Sequence, residues 1–171
     1  MKTNGYQIRE AIKRWELRRE TASTQFAESL FAFPEERESR ETPDDLMNIF
    51  LKAEQAIGQL QTAQTRYNLE VKVRSASFDM TLCEAVKRIG GAGRAEKMWR
   101  TATSDKGRDR YQSREMSRSK DEIYAVRVLS VKETMKRASE AAVFAGSLRA
   151  AIAEGNTRII DIEGLDSKLF E

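Results

Sequence analysis

The chain has 171 residues, of which 40% are hydrophobic and 33% charged, and its mean hydropathy is −0.63. No stretch approaches the about 20 apolar residues that a membrane span needs, and the charged N-terminus lacks the apolar core of a signal peptide. We therefore expect a cytoplasmic protein, one domain over residues 1–171, without a membrane partner.

Histidine is absent and there is a single cysteine, Cys83. Nucleophile–histidine pairs and an imidazole base are therefore excluded, as are ordinary structural zinc sites. One cysteine also excludes an internal disulfide. We expect no catalytic residues, no metal and no cofactor, so the protein is predicted not to be an enzyme. Metal-dependent carboxylate chemistry is the alternative that this composition leaves open.

The first two predicted elements are long helices. The first runs from Gly5 to about Ser29 with a stripe at 4,3 spacing. That stripe consists of Ile8, Ile12, Trp15, Arg19, Ala22 and Phe26. Arg19 interrupts it, either with its stem lying along the apolar seam or as an interface ion pair. Thr42 and Pro43 predict the start of the second helix, and the two helices are expected to form an antiparallel hairpin.

The middle of the chain mixes a strand with a helix. Residues 69–74 alternate apolar and charged, which predicts a strand. Thr81 and Glu84 form a capping box that begins a third helix. Glycines at 90, 91 and 93 are expected to break or hinge this helix, because glycine lowers helix stability. The spacing also matches the G-x-x-G turn of RNA-binding KH domains, a weak signal that leaves an RNA-binding alternative open.

Residues 101–121 form a polar, basic segment, unusually long for a connection in a compact domain. Between Lys106 and Lys120 six basic residues face two acidic ones, a net charge of +4, whereas the rest of the chain sums to −1. Arginine binds phosphate through two hydrogen bonds, and a tyrosine ring can stack on a ligand. The candidate ligand-binding residues are Arg108, Arg110, Tyr111, Arg114, Arg118 and Lys120. A solvated, mobile loop without a ligand is the alternative interpretation.

The remaining residues predict two strands and the last long helix. Residues 123–129 and 158–162 have strand character, and residues 165–171 are expected to be a loose tail. A second capping box, Ser130 with Glu133, begins the helix between the strands, and Gly155 is expected to stop it. The fold class is therefore mainly α: a long antiparallel hairpin, a broken third helix, a long fourth helix and a small sheet.

Short motifs in this arrangement resemble the septicolysin-like family of small helical bacterial proteins. The resemblance is clearest at residues 81–85 after the hairpin, and again at residues 117–120, 122–123, 126, 131–133 and 154–157. It implies a helical hairpin with small strand additions, and self-association. It carries over no catalytic residues. The glycine cluster at 90–93 departs from the family pattern, and no helix here has the lipid-seeking face that membrane lysis would need.

These observations predict a non-enzymatic, homo-oligomeric binding or assembly protein, because slender helices leave apolar stripes that one copy can hardly cover. Its basic segment is expected to capture an anionic, nucleotide- or phosphate-like ligand. The alternatives are RNA binding through the same segment and the glycine turn, or a protein-directed adaptor or inhibitor.

Overall fold

The structure, a computed structural model, describes residues 1–31, 41–103 and 128–171. The described residues form a mainly α fold with two small two-stranded sheets, which confirms the predicted class. The helices are α1 (Gly5–Ser29), α2 (Pro43–Glu70), α3 (Leu82–Thr103) and α4 (Val131–Thr157). The strands are β1 (Lys2–Thr3), β2 (Lys72–Ser75), β3 (Phe78–Thr81) and β4 (Ile160–Asp161), and a 3-10 helix spans Ser167–Phe170.

The chain divides into two compact units. Unit 1 comprises Met1–Lys72 and Glu154–Glu171, and unit 2 comprises Val73–Ala153. Each unit has its own buried hydrophobic residues. In unit 1 these are Ile8, Ala11, Ile12, Ala22, Leu46, Ala53, Ala56, Ile57, Leu60, Ala63, Tyr67, Val71 and Ile162. In unit 2 they are Val73, Met80, Leu82, Ala85, Ala92, Ala145, Leu148 and Ala151.

Unit 1 is built on the predicted antiparallel hairpin of α1 and α2. Gly5, at the start of α1, lies beside Tyr67 near the end of α2, and Arg19 Nη1 lies 3.0 Å from Glu54 Oε1 midway along. Both helices begin at a capping box, Asn4 with Gln7 and the predicted Thr42 with Asp45. Arg19 thus lies at the seam and forms an ion pair between two helices of the same chain.

The C-terminal residues of unit 1 pack on α1. β4 pairs with β1, and Leu169 accepts a hydrogen bond from the indole N–H of Trp15 at 2.9 Å. The prediction of a loose tail was therefore wrong. Gly155 does not stop α4, which continues to Thr157. The carbonyl of Gly155 accepts a hydrogen bond from the Tyr67 hydroxyl. The end of α4 is therefore held by a side chain, whereas a glycine stop was predicted.

Unit 2 begins with a β2–β3 hairpin that leads into α3. The predicted capping box is present, since the backbone N–H of Glu84 donates to Thr81 Oγ1 at 3.2 Å and that of Thr81 donates to Glu84 Oε2 at 2.9 Å. The N–H of Glu133 likewise donates to Ser130 Oγ at 3.1 Å. Phe78 and Phe144 meet edge to face with ring centroids 6.0 Å apart.

The strand predictions were only partly right. The strand predicted over residues 69–74 begins only at Lys72, because α2 continues through Leu69 and Glu70. β1 and β3 were not predicted, since two- and four-residue strands leave almost no periodic signal. Of the strand predicted over residues 123–129, residues 123–127 lie outside the described residues, and Val128 and Leu129 form a bend.

The predicted break at residues 90–93 was also wrong, because α3 continues unbroken through the glycines and on to Thr103, past the predicted start of the basic segment at Thr101. No non-glycine residue of the described chain has positive φ, and among the glycines only Gly164 does. Glycine is permissive, so it weakens a helix without forcing a turn. Buried Ala85 and Ala92 hold α3 in place. The KH-type turn is therefore not formed.

Candidate functional site

The predicted ligand-binding residues Arg108, Arg110, Tyr111, Arg114, Arg118 and Lys120 all lie outside the described residues. Chain connectivity still fixes their neighbours. The segment starts directly after α3 ends at Thr103, and the described chain resumes at Val128, three residues before α4. The candidate segment therefore connects the two long helices of unit 2.

Charge divides sharply between the two units. Unit 1 contains thirteen basic and seventeen acidic residues, a net charge of −4. Unit 2 contains seventeen basic and ten acidic residues, a net charge of +7. Its described residues alone carry ten basic against five acidic side chains, a net charge of +5. The positive excess therefore extends well beyond the predicted basic segment.

The exposed face of α3 collects several of these cations. Lys87, Gly91, Arg94 and Met98 follow one another at 4,3,4 spacing, so they share one side of the helix. Arg88 lies beside them, and all five residues are exposed. Within the described part of the chain, no carboxylate forms an ion pair with Lys87, Arg88 or Arg94. This face offers three unneutralised cations to an anion.

Other cations of unit 2 are already held by side chains of α3 and α4. Glu96, whose side chain is only 15% exposed, accepts from Arg100 at 2.7 Å and from Arg149 at 3.2 Å. Arg137 lies over the ring of Trp99, with its guanidinium carbon 5.2 Å from the ring centroid. These contacts tie α3 to α4 and give the basic surface a fixed support.

A cavity of about 500 Å³ lies elsewhere on unit 2, over Phe144 and Val143, with Ser77, Ser139, Lys136 and Glu140 around it. Lys136 Nζ lies 4.0 Å from Glu140 Oε1, at the limit of an ion pair. The rim is therefore close to neutral, and this cavity is a poorer site for an anion than the face of α3.

Two structural features are absent from the described residues. No helix among them is both long and apolar enough to cross a membrane. They bring together no group of three or more acidic or cysteine side chains arranged to hold a metal ion.

The fold has a counterpart among solved structures. It is a functionally unknown conserved protein from Corynebacterium diphtheriae, known from its crystal structure. The two chains are 15% identical, and the alignment covers 94% of this chain and 100% of that one, with a TM-score of 0.60. At this identity the likeness shows a shared fold and carries no function. No protein family matches the chain, and a comparison with curated proteins gives no match.

The cations of α3 were not predicted as site residues, although all of them are visible in the sequence. The prediction rested on the charge of residues 106–120 against that of the remaining chain, in which the acidic residues of unit 1 cancel the basic residues of α3 and α4. Summing charge separately over each predicted helix would have found them.

Proposed function

We propose that the protein is a non-enzymatic, self-associating binding protein that captures an anionic, phosphate-bearing ligand through unit 2. The observation that carries this proposal is the net charge of +5 on the described residues of unit 2, with three unpaired cations on one face of α3. Basic side chains clustered on one face form the electrostatic footprint of an anion-binding surface.

The basic segment supplies the groups that would recognise the ligand. Arg108, Arg110, Arg114 and Arg118 can each bind a phosphate through two hydrogen bonds, and Tyr111 adds a ring for stacking. In the chain, the segment follows directly on α3. A nucleotide-type small molecule satisfies both the cations and the ring.

The first test is ligand binding by the double variant Arg110→Ala with Arg114→Ala. ATP serves as the probe, and binding is measured by isothermal titration calorimetry. We expect affinity to fall by at least tenfold, because charge-assisted hydrogen bonds contribute about 1.5–3 kcal/mol each. The matched control, Arg9→Ala with Lys13→Ala, removes two exposed charges from α1 of unit 1. Equal loss in both variants, or none in either, would contradict binding at this segment.

RNA is the second candidate ligand, and the row of cations along α3 favours it. A single strand needs several phosphate contacts in sequence, and Lys87, Arg88 and Arg94 extend the basic surface beyond one small ligand. The test is the salt dependence of binding, because each phosphate contact releases counterions. A nucleotide held by two or three contacts gives a shallow dependence, whereas RNA gives a steep one.

A further inference from the structure

The outward face of α2 is exposed along most of its length and is uncharged at its centre. At helical spacing it carries Met47, Leu51, Glu54, Gly58, Thr62, Thr65 and Leu69, all of them exposed. Met47, Leu51 and Leu69 retain 41%, 56% and 55% of their accessible surface. No residue from 55 to 65 is charged, in a chain that is 33% charged. Depletion of charge at the centre is the compositional mark of an interface.

These residues are spaced symmetrically about Gly58. Met47 and Leu69 lie eleven positions on either side of it, and Leu51 and Thr65 lie seven positions away. At about 100° per residue around the helix axis, all four residues lie within about 20° of the angular position of Gly58. Two antiparallel copies of α2 crossing at Gly58 would therefore set Met47 of each copy against the partner's Leu69. An interface between identical subunits related by a two-fold axis has this symmetry.

Gly58 has no role in packing within the described chain. A Cβ atom added there would meet nothing within 4 Å, although glycine inside a helix costs about 0.5–1 kcal/mol relative to alanine. A missing Cβ matters where another backbone approaches closely. The point where two copies of α2 cross is such a place.

Charge favours a second copy as the occupant of this face. The exposed face of α3 cannot pair with itself, because Lys87, Arg88 and Arg94 would meet like charges. The α2 face brings no like charges together at its centre, and Glu54 is already paired with Arg19. A strongly charged partner would find no counter-charge there.

We infer that α2 is the self-association surface, and that two copies pack antiparallel about a two-fold axis near Gly58. This inference rests on the self-association included in the proposed function. The face from Met47 to Leu69 is about 33 Å long and, at a helix diameter of about 10 Å, covers roughly 330 Å², which is less than the about 800 Å² per partner of a standard interface. The dimer is therefore of modest affinity, and its population depends on protein concentration.

The test is sedimentation velocity from roughly 10 to 200 µM on three proteins: wild type, Gly58→Arg and Gly146→Arg. Gly146 is the matched control, because it is an exposed glycine of α4 at which an added Cβ atom would meet nothing within 4 Å. We expect wild type and Gly146→Arg to shift from monomer to dimer as concentration rises, whereas Gly58→Arg stays monomeric. Circular dichroism checks that the helices remain formed in each variant.

Orientation is tested by disulfide trapping in a Cys83→Ser background. Tagged Met47→Cys is mixed with untagged Leu69→Cys under mild oxidation, and we expect a mixed disulfide dimer. A parallel pair would instead link Met47→Cys to itself, which would overturn the inference.

The remaining outcomes separate the inference from the proposed function. Dimerisation that Gly58→Arg does not weaken places the interface elsewhere, which overturns the inference and leaves self-association standing. A monomeric wild type at every concentration overturns both the inference and self-association. ATP binding measured on the same samples tests the anion-binding part independently.

Discussion

Tyr67 is the residue on which the open end of the helical hairpin depends. Its side chain is fully buried, and its hydroxyl donates to the carbonyl of Gly155 at 2.7 Å and lies 2.8 Å from that of Arg158. Carbonyls in the last turn of a helix have no partner within the helix, so Tyr67 satisfies one at the end of α4. The Tyr67 ring also packs against the start of α1, since a Cβ atom on Gly5 would lie 2.9 Å from Cε1 of Tyr67. One side chain thus joins the start of α1 to the end of α4.

Replacing Tyr67 with phenylalanine should destabilise unit 1 by about 1–3 kcal/mol, because the carbonyls of Gly155 and Arg158 lose the hydroxyl as a partner. The packing of the ring is retained, so the loss belongs to the hydroxyl. The measurement is the urea unfolding midpoint at pH 7.5. The matched control is Tyr6→Phe, since Tyr6 is 41% exposed. Equal stability of wild type and Tyr67→Phe would show that the hydroxyl contributes nothing.

The difference in stability between wild type and Tyr67→Phe depends on pH in a definite direction. Burial raises the pKa of the Tyr67 hydroxyl, with Gly5 and Arg158 opposing the rise. The folded state therefore favours the neutral hydroxyl, and its contribution is complete below the unfolded pKa of about 10. It is lost as pH rises from there through the raised pKa. The stability difference between wild type and Tyr67→Phe should shrink above about pH 10. A difference that grows with pH would contradict this assignment.

At the scale of elements, the sequence predicted long helices well and short strands poorly. The limits of α1, the capping box of Thr81 with Glu84 and the cap of α4 at Ser130 were predictable, because apolar spacing and caps are local signals. β1 has two residues and pairs with β4 across the whole length of the chain, so nothing local marks it, whereas β4 lies within the strand predicted over residues 158–162. Residues 69 and 70 belong to the last turn of α2. The alternation of apolar and charged residues over 69–74 does not show where that helix ends.

The glycines of α3 show how tertiary contacts override propensity. Gly91 is exposed, and a Cβ atom there would meet nothing within 4 Å. The helix persists because Ala85 and Ala92 are buried on its other side. The predicted break came from weighing propensity alone, which is a weak signal when neighbouring residues are anchored.

Replacing Gly91 with alanine should therefore stabilise the protein by about 0.5–1 kcal/mol, measured by urea unfolding. Gly5→Ala should do the opposite, because its Cβ would overlap Asn156 Oδ1 and lie 2.9 Å from Cε1 of Tyr67. Loss of stability in Gly91→Ala would mean that this glycine has a packing role in the folded chain. The pair of variants separates helix propensity from steric fit.

Across the whole molecule, charge is distributed by unit. The net charge of +3 conceals −4 on unit 1 and +7 on unit 2. A uniform mixture of charges is typical of a surface that needs only solubility, whereas separation creates a field that attracts anions to one part of the chain. The proposed division of roles follows from this pattern: the nearly neutral face of α2 suits self-association, and unit 2 suits an anionic ligand.

The salt dependence of RNA binding tests this division on the described residues. A single-stranded RNA of about 20 nucleotides is titrated by fluorescence anisotropy from roughly 50 to 300 mM KCl. Removing Lys87 and Arg94 by alanine substitution should reduce the slope of log K against log salt by about 1.4, because each lost phosphate contact on a single strand removes about 0.7.

Arg9→Ala with Lys13→Ala removes the same charge from unit 1 and should leave the slope unchanged. An equal change in both variants would mean that only net charge matters. No change in either, with ATP binding intact, would assign the basic segment to a small ligand and leave the α3 face without a role in binding.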